Sequence, residues 1–392
     1  MLIKTMYFQK GVFSLMLKKK ILEKIIYPFI DSLSVKKNKI VFDNFSGRGY
    51  GCNPKYIAEA LRNIAPDLDL VWLCRSSKEI FPTGIRVVKF DSIRARYEWA
   101  TAAIWIDNIR NTPKAPKKPN QFYIQTWHSS LGIKKVEAAA GKLKPEYEAA
   151  AKFDAKITDL MIANNQMRFM QFQKDFWYDG KILICGTPRN SILFQINDNT
   201  RNCIYTKLGI KQVQKIVLYA PTFRNNSDSN IYWFDYMKCI KSLETRFGGD
   251  FVLLFRLHPN AVSLRKNFKF NDKIMDVTDY PDIQELIAIS HIIITDYSSC
   301  MFDAAFVKKP VFLYATDINY YINNDQGLLF NYYELPFSIS SNTEQLQTAI
   351  KNFDEKVYSE KCNYFFDYIG LAEDGNGDKF IANVILQQLN KK

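Results

Sequence analysis

From Ile40 onward the chain repeats one unit: a short run of β-branched and aromatic residues, then a longer stretch with helical spacing. IVF (Ile40–Phe42), LVWLC (Leu70–Cys74), VVKF (Val87–Phe90), QFYIQ (Gln121–Gln125), DLMIA (Asp159–Ala163) and ILIC (Ile182–Cys185) make a first series of predicted strands. VLYA (Val217–Ala220), VLLFRL (Val252–Leu257), HIIIT (His291–Thr295) and VFLYA (Val311–Ala315) make a second. Helical patterns intervene, for instance Pro54–Asn63 and Met167–Trp177. Strands without polar alternation, separated by helices, belong in parallel sheets covered on both faces. Periodicity lapses between Asp198 and Lys215. The expected architecture is therefore α/β, with two doubly wound, Rossmann-like domains over residues 39–205 and 206–392, preceded by a distinct segment, 1–38.

A chain of 392 residues is too long for one ordinary core, and 47% hydrophobic with 15% aromatic residues is a globular composition. The seven cysteines include no C-x-x-C pair. Free thiols in a reducing compartment fit that spacing better than a disulfide framework.

Charge is unevenly distributed. Of the formal +13, about half sits between Met1 and Lys39, where nine lysines face only Glu23 and Asp31. Lys18, Lys19, Lys20 and Lys24 interrupt the apolar residues of this stretch long before the roughly 20 needed to span a bilayer. No small-residue cleavage site follows, so a secretory signal is not expected either. Two readings stay open: a basic amphipathic segment lying on an anionic membrane surface, or a helix packed on the body of the protein with solvated lysines.

In doubly wound sheets ligands bind beyond the carboxyl ends of the strands. Nearly all the chemically informative residues sit there. QFYIQ is followed by Trp127, His128, Ser129 and Ser130; ILIC by GTPRN with Arg189; VLYA by PTFRN with Thr222 and Arg224. Arg256 falls just inside VLLFRL and His258 just after it, while HIIIT leads into Asp296, Tyr297, Ser298 and Ser299. The last turn precedes a helical pattern, so Ser298 and Ser299 offer hydroxyls and backbone N–H groups to an anion, unless Ser298 or Asp296 merely caps the helix. Arg189, Arg224 and Arg256 supply guanidinium forks suited to phosphate, although each could equally be an ion-pair partner inside the fold. His291 opens a strand and reads as structural. No H-E-x-x-H or Cys/His cluster suggests a protein-held metal, and no RNA- or DNA-binding motif is readable, so nucleic acid is not an expected partner.

QTWHSS, GTPRN, VLYAPTFR, RLHP and ITDYSSCMFDAAFVKKPVFLY, in this order, together resemble the CDP-glycerol glycerophosphotransferase family, which builds teichoic acids and related polymers. FSGRGYGCNPKYIAEAL, DVTDYPDIQELIAIS and DGNGDKFIANVI extend the resemblance from about Lys39 to Leu389. It implies a GT-B-like fold, with the CDP-linked donor held mainly by the C-terminal domain in the cleft. It also implies transfer of a polyol phosphate, glycerol phosphate first among them, from CDP-glycerol or CDP-ribitol to a hydroxyl of a lipid-linked saccharide or polymer acceptor, with CMP released.

Under that resemblance His128 is the general base that takes the hydroxyl proton, and Trp127 walls the ring. His258 acts with Arg256 at the donor phosphates. Asp296, Ser298, Ser299, Thr222, Arg224 and Arg189 complete the donor side, and Ser129 and Ser130 line the acceptor side of the cleft. Magnesium is compatible only as an ion carried on the diphosphate. The implied location is peripheral, at the cytoplasmic face of the membrane. The chain departs from the teichoic-acid pattern at WHSSLGIKK, which looks more like the capsule and surface-polysaccharide branch. The competing classes are a GT-B glycosyltransferase using a nucleotide sugar and a noncatalytic basic membrane-binding scaffold.

Overall fold

A strand whose residues are apolar on both faces must be covered on both, and the computed structural model, which describes residues 20–110, 112–224, 228–324 and 327–391, meets that demand twice. The first sheet holds β1 (Lys36–Phe42), β2 (Asp69–Cys74), β3 (Ile85–Lys89), β4 (Ala102–Asp107), β5 (Phe122–Gln125), β6 (Leu160–Ala163) and β7 (Lys181–Ile184) in the order β3-β2-β1-β4-β5-β6-β7. The second holds β8 (Gln214–Tyr219), β9 (Asp250–Phe255), β10 (Ile274–Asp276), β11 (Ile292–Thr295), β12 (Val311–Tyr314) and β13 (Ser338–Ser340) in the order β10-β9-β8-β11-β12-β13. Every pairing between these strands is parallel. Strand order reverses between β1 and β4 in one sheet and between β8 and β11 in the other. Those two switch points are where crevices open.

Three strands were not expected from the sequence: β4, β10 and β13. β4 is the most instructive, because AAIWID is buried at all six positions and pairs directly with β1. It follows the helix Ile93–Thr101 with no glycine or proline between them, so nothing in the residue pattern marks the change of conformation. Conversely, the stretch read as a lapse between domains contains the helix Asp198–Leu208, capped by the Asn197 side chain at its start and left-handed Gly209 at its end. Its Ile204 and Tyr205 pack into the second core. The boundary drawn at residues 205 and 206 thus falls inside a helix of the second unit.

The last helix, Gly377–Asn390, also departs from the expected division: it returns to the first sheet. Ile381, Ala382 and Ile385 pack with Ile57, Ala58 and Leu61 of the helix Cys52–Ile64 and with Ile40 and Phe42 of β1. Each fully buried aliphatic side chain of this kind contributes about 1.5–3 kcal/mol, which outweighs any preference of the segment for its sequence neighbours. The crossing is close. A Cβ on Gly377 would lie 2.0 Å from the Gly186 carbonyl oxygen, so the glycines of GTPRN and DGNGD let two backbones touch. Lys55 Nζ bonds Asp282 (2.7 Å) and Glu285 (2.6 Å), and Tyr56 also donates to Asp282, so a buried ion-pair cluster ties the two domains together.

Before β1, the turn Leu22–Ile26 continues into the helix Tyr27–Ser32. One side packs on the first domain through Ile30 and Ile26, and Asp31 pairs with Arg96. Ile21, Ile25 and Phe29, spaced four apart, stay exposed. Of the basic segment read as 1–38, residues 1–19 lie outside the described residues. Among the described residues no helix is long and apolar enough to cross a membrane.

Candidate active site

His128 lies in the loop after β5, held by groups from three neighbouring strand ends. Trp127 adopts φ +54°, a left-handed conformation that is costly for a bulky residue and that tends to persist where surrounding contacts impose it. Its N–H donates to Gln125 Oε1 (2.9 Å), and its ring lies 4.2 Å from the imidazole. Phe45, from the loop after β1, meets the imidazole edge-on at 5.2 Å.

The remaining contact fixes the tautomer. His128 Nδ1 is 2.9 Å from the Asn108 carbonyl oxygen, which can only accept, so Nδ1 carries the proton and Nε2 presents its lone pair. Burial, then the charges of Arg189 and Arg168, pull the His128 pKa down to about 4, against the opposing bond to Asn108. The ring is neutral at physiological pH. Asn108 is itself held by Asp107 Oδ1, which accepts its N–H at 2.7 Å, and Asp107 pairs with buried Lys114 at 2.8 Å.

His258 follows β9 and has the opposite arrangement. Its Nδ1 accepts from the Asn260 N–H (3.1 Å), so in the neutral ring Nε2 carries the hydrogen and can donate. Burial and the charges of Lys134, Arg256 and Arg48 push its pKa down to about 4. Arg256 and His258 come from the second domain; Arg48, from the loop after β1, and Lys134, from the loop after β5, come from the first. Among the described residues no carboxylate pairs with Arg48 or Arg256, and Lys134 Nζ sits 5.5 Å over the Tyr321 ring. Phe45 and Arg48 share one loop, so the loop that contacts the His128 ring also brings positive charge to His258. The cleft is lined with cations from both sides.

Other expected site residues have different partners. Arg224 is buried between Asp296 (2.9 Å) and Asp317 (2.8 Å). Asp296 also accepts the N–H groups of Thr222 (2.8 Å) and Tyr297 (2.6 Å), making a knot across the second switch point. Thr222 keeps a buried hydroxyl oxygen with no partner. Arg189 Nη2 bonds Asp303 (2.6 Å) and its Nη1 bonds the His128 carbonyl (2.7 Å). The geometry therefore occupies Arg189 and Arg224 inside the protein, where the sequence reading had them as forks for the donor.

Ser130 is buried and donates to Asp303, while Ser129 Oγ accepts from Arg168 Nη2 (3.0 Å). Ser298 Oγ accepts from Cys300 N at 3.4 Å, and Ser299 makes no side-chain cap; both are half-buried before the helix Cys300–Phe306. His291 Nδ1 accepts from the Ile216 N–H (3.1 Å), a contact between strands. Asn108, Arg48, Lys134 and Asp303 escaped sequence reasoning. Asn108 was findable: it directly follows β4, and a recognised β4 would have put it at a strand end beside that of β1. Among the described residues no group of three or more His, Cys, Asp or Glu could hold a metal.

Two doubly wound parallel sheets that meet through the loops at their strand ends, where a neutral imidazole and cations from both domains gather, are the architecture of a GT-B-like group transferase. The chain is similar to the wall teichoic acid polymerase TagF, with a TM-score of 0.83 and 29% identity over 96% of this chain and 97% of that one. The chain belongs to the CDP-Glycerol:Poly(glycerophosphate) glycerophosphotransferase family, matched over residues 25–387. It is 32% identical to a teichoic acid poly(glycerol phosphate) polymerase of Staphylococcus epidermidis over 98% of this chain and 55% of that protein. It is also 32% identical to a teichoic acid glycerol-phosphate transferase of Staphylococcus aureus, over 94% of this chain and 98% of that protein. The chain thus spans about half the length of the first relative and nearly all of the second.

Proposed function

We propose that this protein transfers glycerol phosphate from CDP-glycerol to a hydroxyl at the end of a teichoic-acid-type acceptor, releasing CMP. The observation that carries the reading is the pairing of a neutral imidazole, whose Nδ1 is spent on the Asn108 carbonyl so that Nε2 presents a lone pair, with positive charge brought to His258 from both domains by Arg256, Arg48 and Lys134. His128 Nε2 takes the acceptor proton as the new bond forms between the acceptor oxygen and the β-phosphorus. The bond from that phosphorus to the bridging oxygen breaks, and CMP departs with the electron pair. Arg256, the Nε2–H of His258, Arg48 and Lys134 balance the charge that develops on the phosphates. Ser298 and Ser299 contact the diphosphate with their hydroxyls. Magnesium, where the reaction uses it, travels on the donor diphosphate.

Glycerol is favoured over ribitol because the relatives named for glycerol phosphate reach 32% identity and those named for ribitol phosphate 24%. A capsule-type product rests on the WHSSLGIKK variant alone. The acceptor is lipid-linked in this proposal, and the protein works peripherally at the cytoplasmic membrane face, seated through Ile21, Ile25 and Phe29 with Lys20 and Lys24 beside them. Purified protein incubated separately with CDP-glycerol and CDP-ribitol, plus lipid-linked and synthetic acceptors, tests the reading through CMP release. Consumption of a UDP-sugar with release of UDP, and no CMP from either CDP-polyol, would replace it by glycosyl transfer.

A further inference from the structure

The WHSS loop is joined to the donor domain by one buried polar junction, and its centre is the ion pair Arg189–Asp303. Asp303 lies on the helix Cys300–Phe306, directly after the DYSS turn, and is 1% exposed. Its Oδ2 accepts from Arg189 Nη2 (2.6 Å) and Gln284 Nε2 (3.1 Å); its Oδ1 accepts from Ser130 Oγ and from Asn190 Nδ2 (3.3 Å). Arg189, also buried, turns its other terminal nitrogen onto the His128 carbonyl at 2.7 Å. One carboxylate of the second domain therefore grips the loop twice: at Ser130 directly, and at His128 through a planar guanidinium.

We propose that Asp303 and Arg189 are a positioning pair for transfer, fixing the main chain of His128 relative to the donor-binding turn so that base and donor phosphorus stay in register. This rests on His128 being the base. Neither residue touches substrate. The pair works because a guanidinium can bridge two acceptors in one plane, which an ammonium cannot, and because a displacement of about 1 Å at a reacting group can cost about 100-fold.

Arg189 has a second, separable effect on the ring. The charged groups acting on His128 are Arg189 and Arg168, both of which lower its pKa; among the described residues the loops after β1 and β4 meet the ring through Phe45 and the Asn108 carbonyl. Charge and geometry can therefore be varied independently.

The test compares Arg189→Lys, Arg189→Gln and Ser130→Ala with wild type in CMP release, with calorimetric CDP-glycerol affinity and thermal melting measured on each. Arg189→Lys keeps the charge but loses the bridge. It should lower kcat roughly 10- to 100-fold while leaving donor affinity within a few-fold and the acid limb of the pH–rate profile in place. Arg189→Gln should lower kcat as much and also move that limb to higher pH. Ser130→Ala should give a smaller fall in kcat, and Asp303→Asn the largest. If Asp303→Asn does not fold, the other three variants decide.

Turnover within about twofold of wild type in Arg189→Lys, or donor affinity falling in parallel with kcat, would overturn the proposal; the second result would return Arg189 to the donor site. His128→Ala is run alongside. Should it retain turnover, the reading of the base fails whatever Arg189 does. A loss in His128→Ala without one in Arg189→Lys sinks only the positioning pair.

Discussion

The two histidines of the cleft are bound in opposite senses. His128 donates from Nδ1 to a carbonyl and leaves Nε2 as an acceptor; His258 accepts at Nδ1 and leaves Nε2 as a donor. Their surroundings differ as well. His128 is packed between aromatic rings on a loop anchored to both domains, so its geometry is complete without a ligand. His258 stands instead beside Arg256, Lys134 and Arg48, whose charges add to desolvation in lowering its pKa, and its ring accepts a local bond, from the Asn260 N–H. Under the proposed function the difference separates a preorganised proton acceptor, His128, from a residue of the donor-phosphate site, His258.

The sharpest way to break this comparison is to remove the acceptor nitrogen. His128→Ala should lower turnover by roughly 10²- to 10⁴-fold while CDP-glycerol affinity, measured calorimetrically, changes little. In wild type, a base with a pKa of about 4 stays neutral well below the ordinary histidine value. The acid limb of kcat/KM should therefore lie nearer pH 4 than 6.5. Donor affinity that collapses together with turnover would make the two histidines equivalent, both serving binding.

The first-domain side also contains a half-buried carboxylate, Glu373, where the chain crosses back to the first domain. It accepts from Asn164 (2.9 Å), Asn190 (3.1 Å) and the Thr187 N–H (2.9 Å), and burial raises its pKa to about 7. The ordinary value is near 4.5, so between these pH values the folded chain holds a proton that the unfolded chain has lost. The resulting stability is full below about pH 4.5 and falls as pH rises through 7, by about 3 kcal/mol at most. Urea unfolding at pH 5 and pH 8 should show that fall in wild type and a much flatter dependence in Glu373→Gln. Equal slopes would mean that the carboxylate is ionised in the folded protein at both pH values.

On the donor side, Arg256→Ala and His258→Ala should each weaken CDP-glycerol binding by about 1.5–3 kcal/mol, the value of a charge-assisted hydrogen bond, and Ser298→Ala by about 1 kcal/mol. Arg224→Ala should differ in kind: it leaves Asp296 and Asp317 without their cation, so the melting temperature falls before affinity does. Unchanged donor affinity in the first three would put the nucleotide elsewhere in the cleft.

How much of this was legible in the residues follows the same division. The strand-end rule located both histidines, Arg256 and the DYSS turn, because β-branched runs mark where strands stop. It could not tell a guanidinium held by backbone carbonyls, as Arg256 is by Val277 and Tyr280, from one held by carboxylates. Arg256, Arg224 and Arg189 look alike in RLHP, PTFR and GTPRN, yet Asp317 and Asp303, which claim the last two, lie 93 and 114 residues away. Alanine-rich β4 was hidden by its continuity with the preceding helix, and with it Asn108, the group that sets the His128 tautomer. The return of the last helix to the first sheet was equally hidden, since its period of apolar residues fits a helix packed anywhere. Local pattern located the elements; long-range pairing decided their roles.

The smallest expected effect separates the acceptor side from the donor side once more. Ile21, Ile25 and Phe29 form an exposed apolar stripe on the first domain, with Ile30 on the packed side of the same helix. Lys20 and Lys24 lie among them, and each lysine near an anionic surface adds on the order of 1 kcal/mol. If this face seats the protein on membrane for a lipid-linked acceptor, Ile21→Ser, Ile25→Ser and Phe29→Ser combined should lower turnover a few-fold on that acceptor in anionic vesicles. Turnover on a soluble acceptor analogue and CDP-glycerol affinity should be unchanged, because the stripe lies away from the cleft. Vesicle flotation at low and high salt supplies the independent measurement: wild type should float with anionic vesicles at low salt and detach as salt screens the lysines. A wild-type protein that stays in the soluble fraction at low salt would leave the stripe without a membrane role. A triple variant that also loses soluble-acceptor turnover would make the helix a structural support of the first sheet, acting through Ile30 and the Asp31–Arg96 pair.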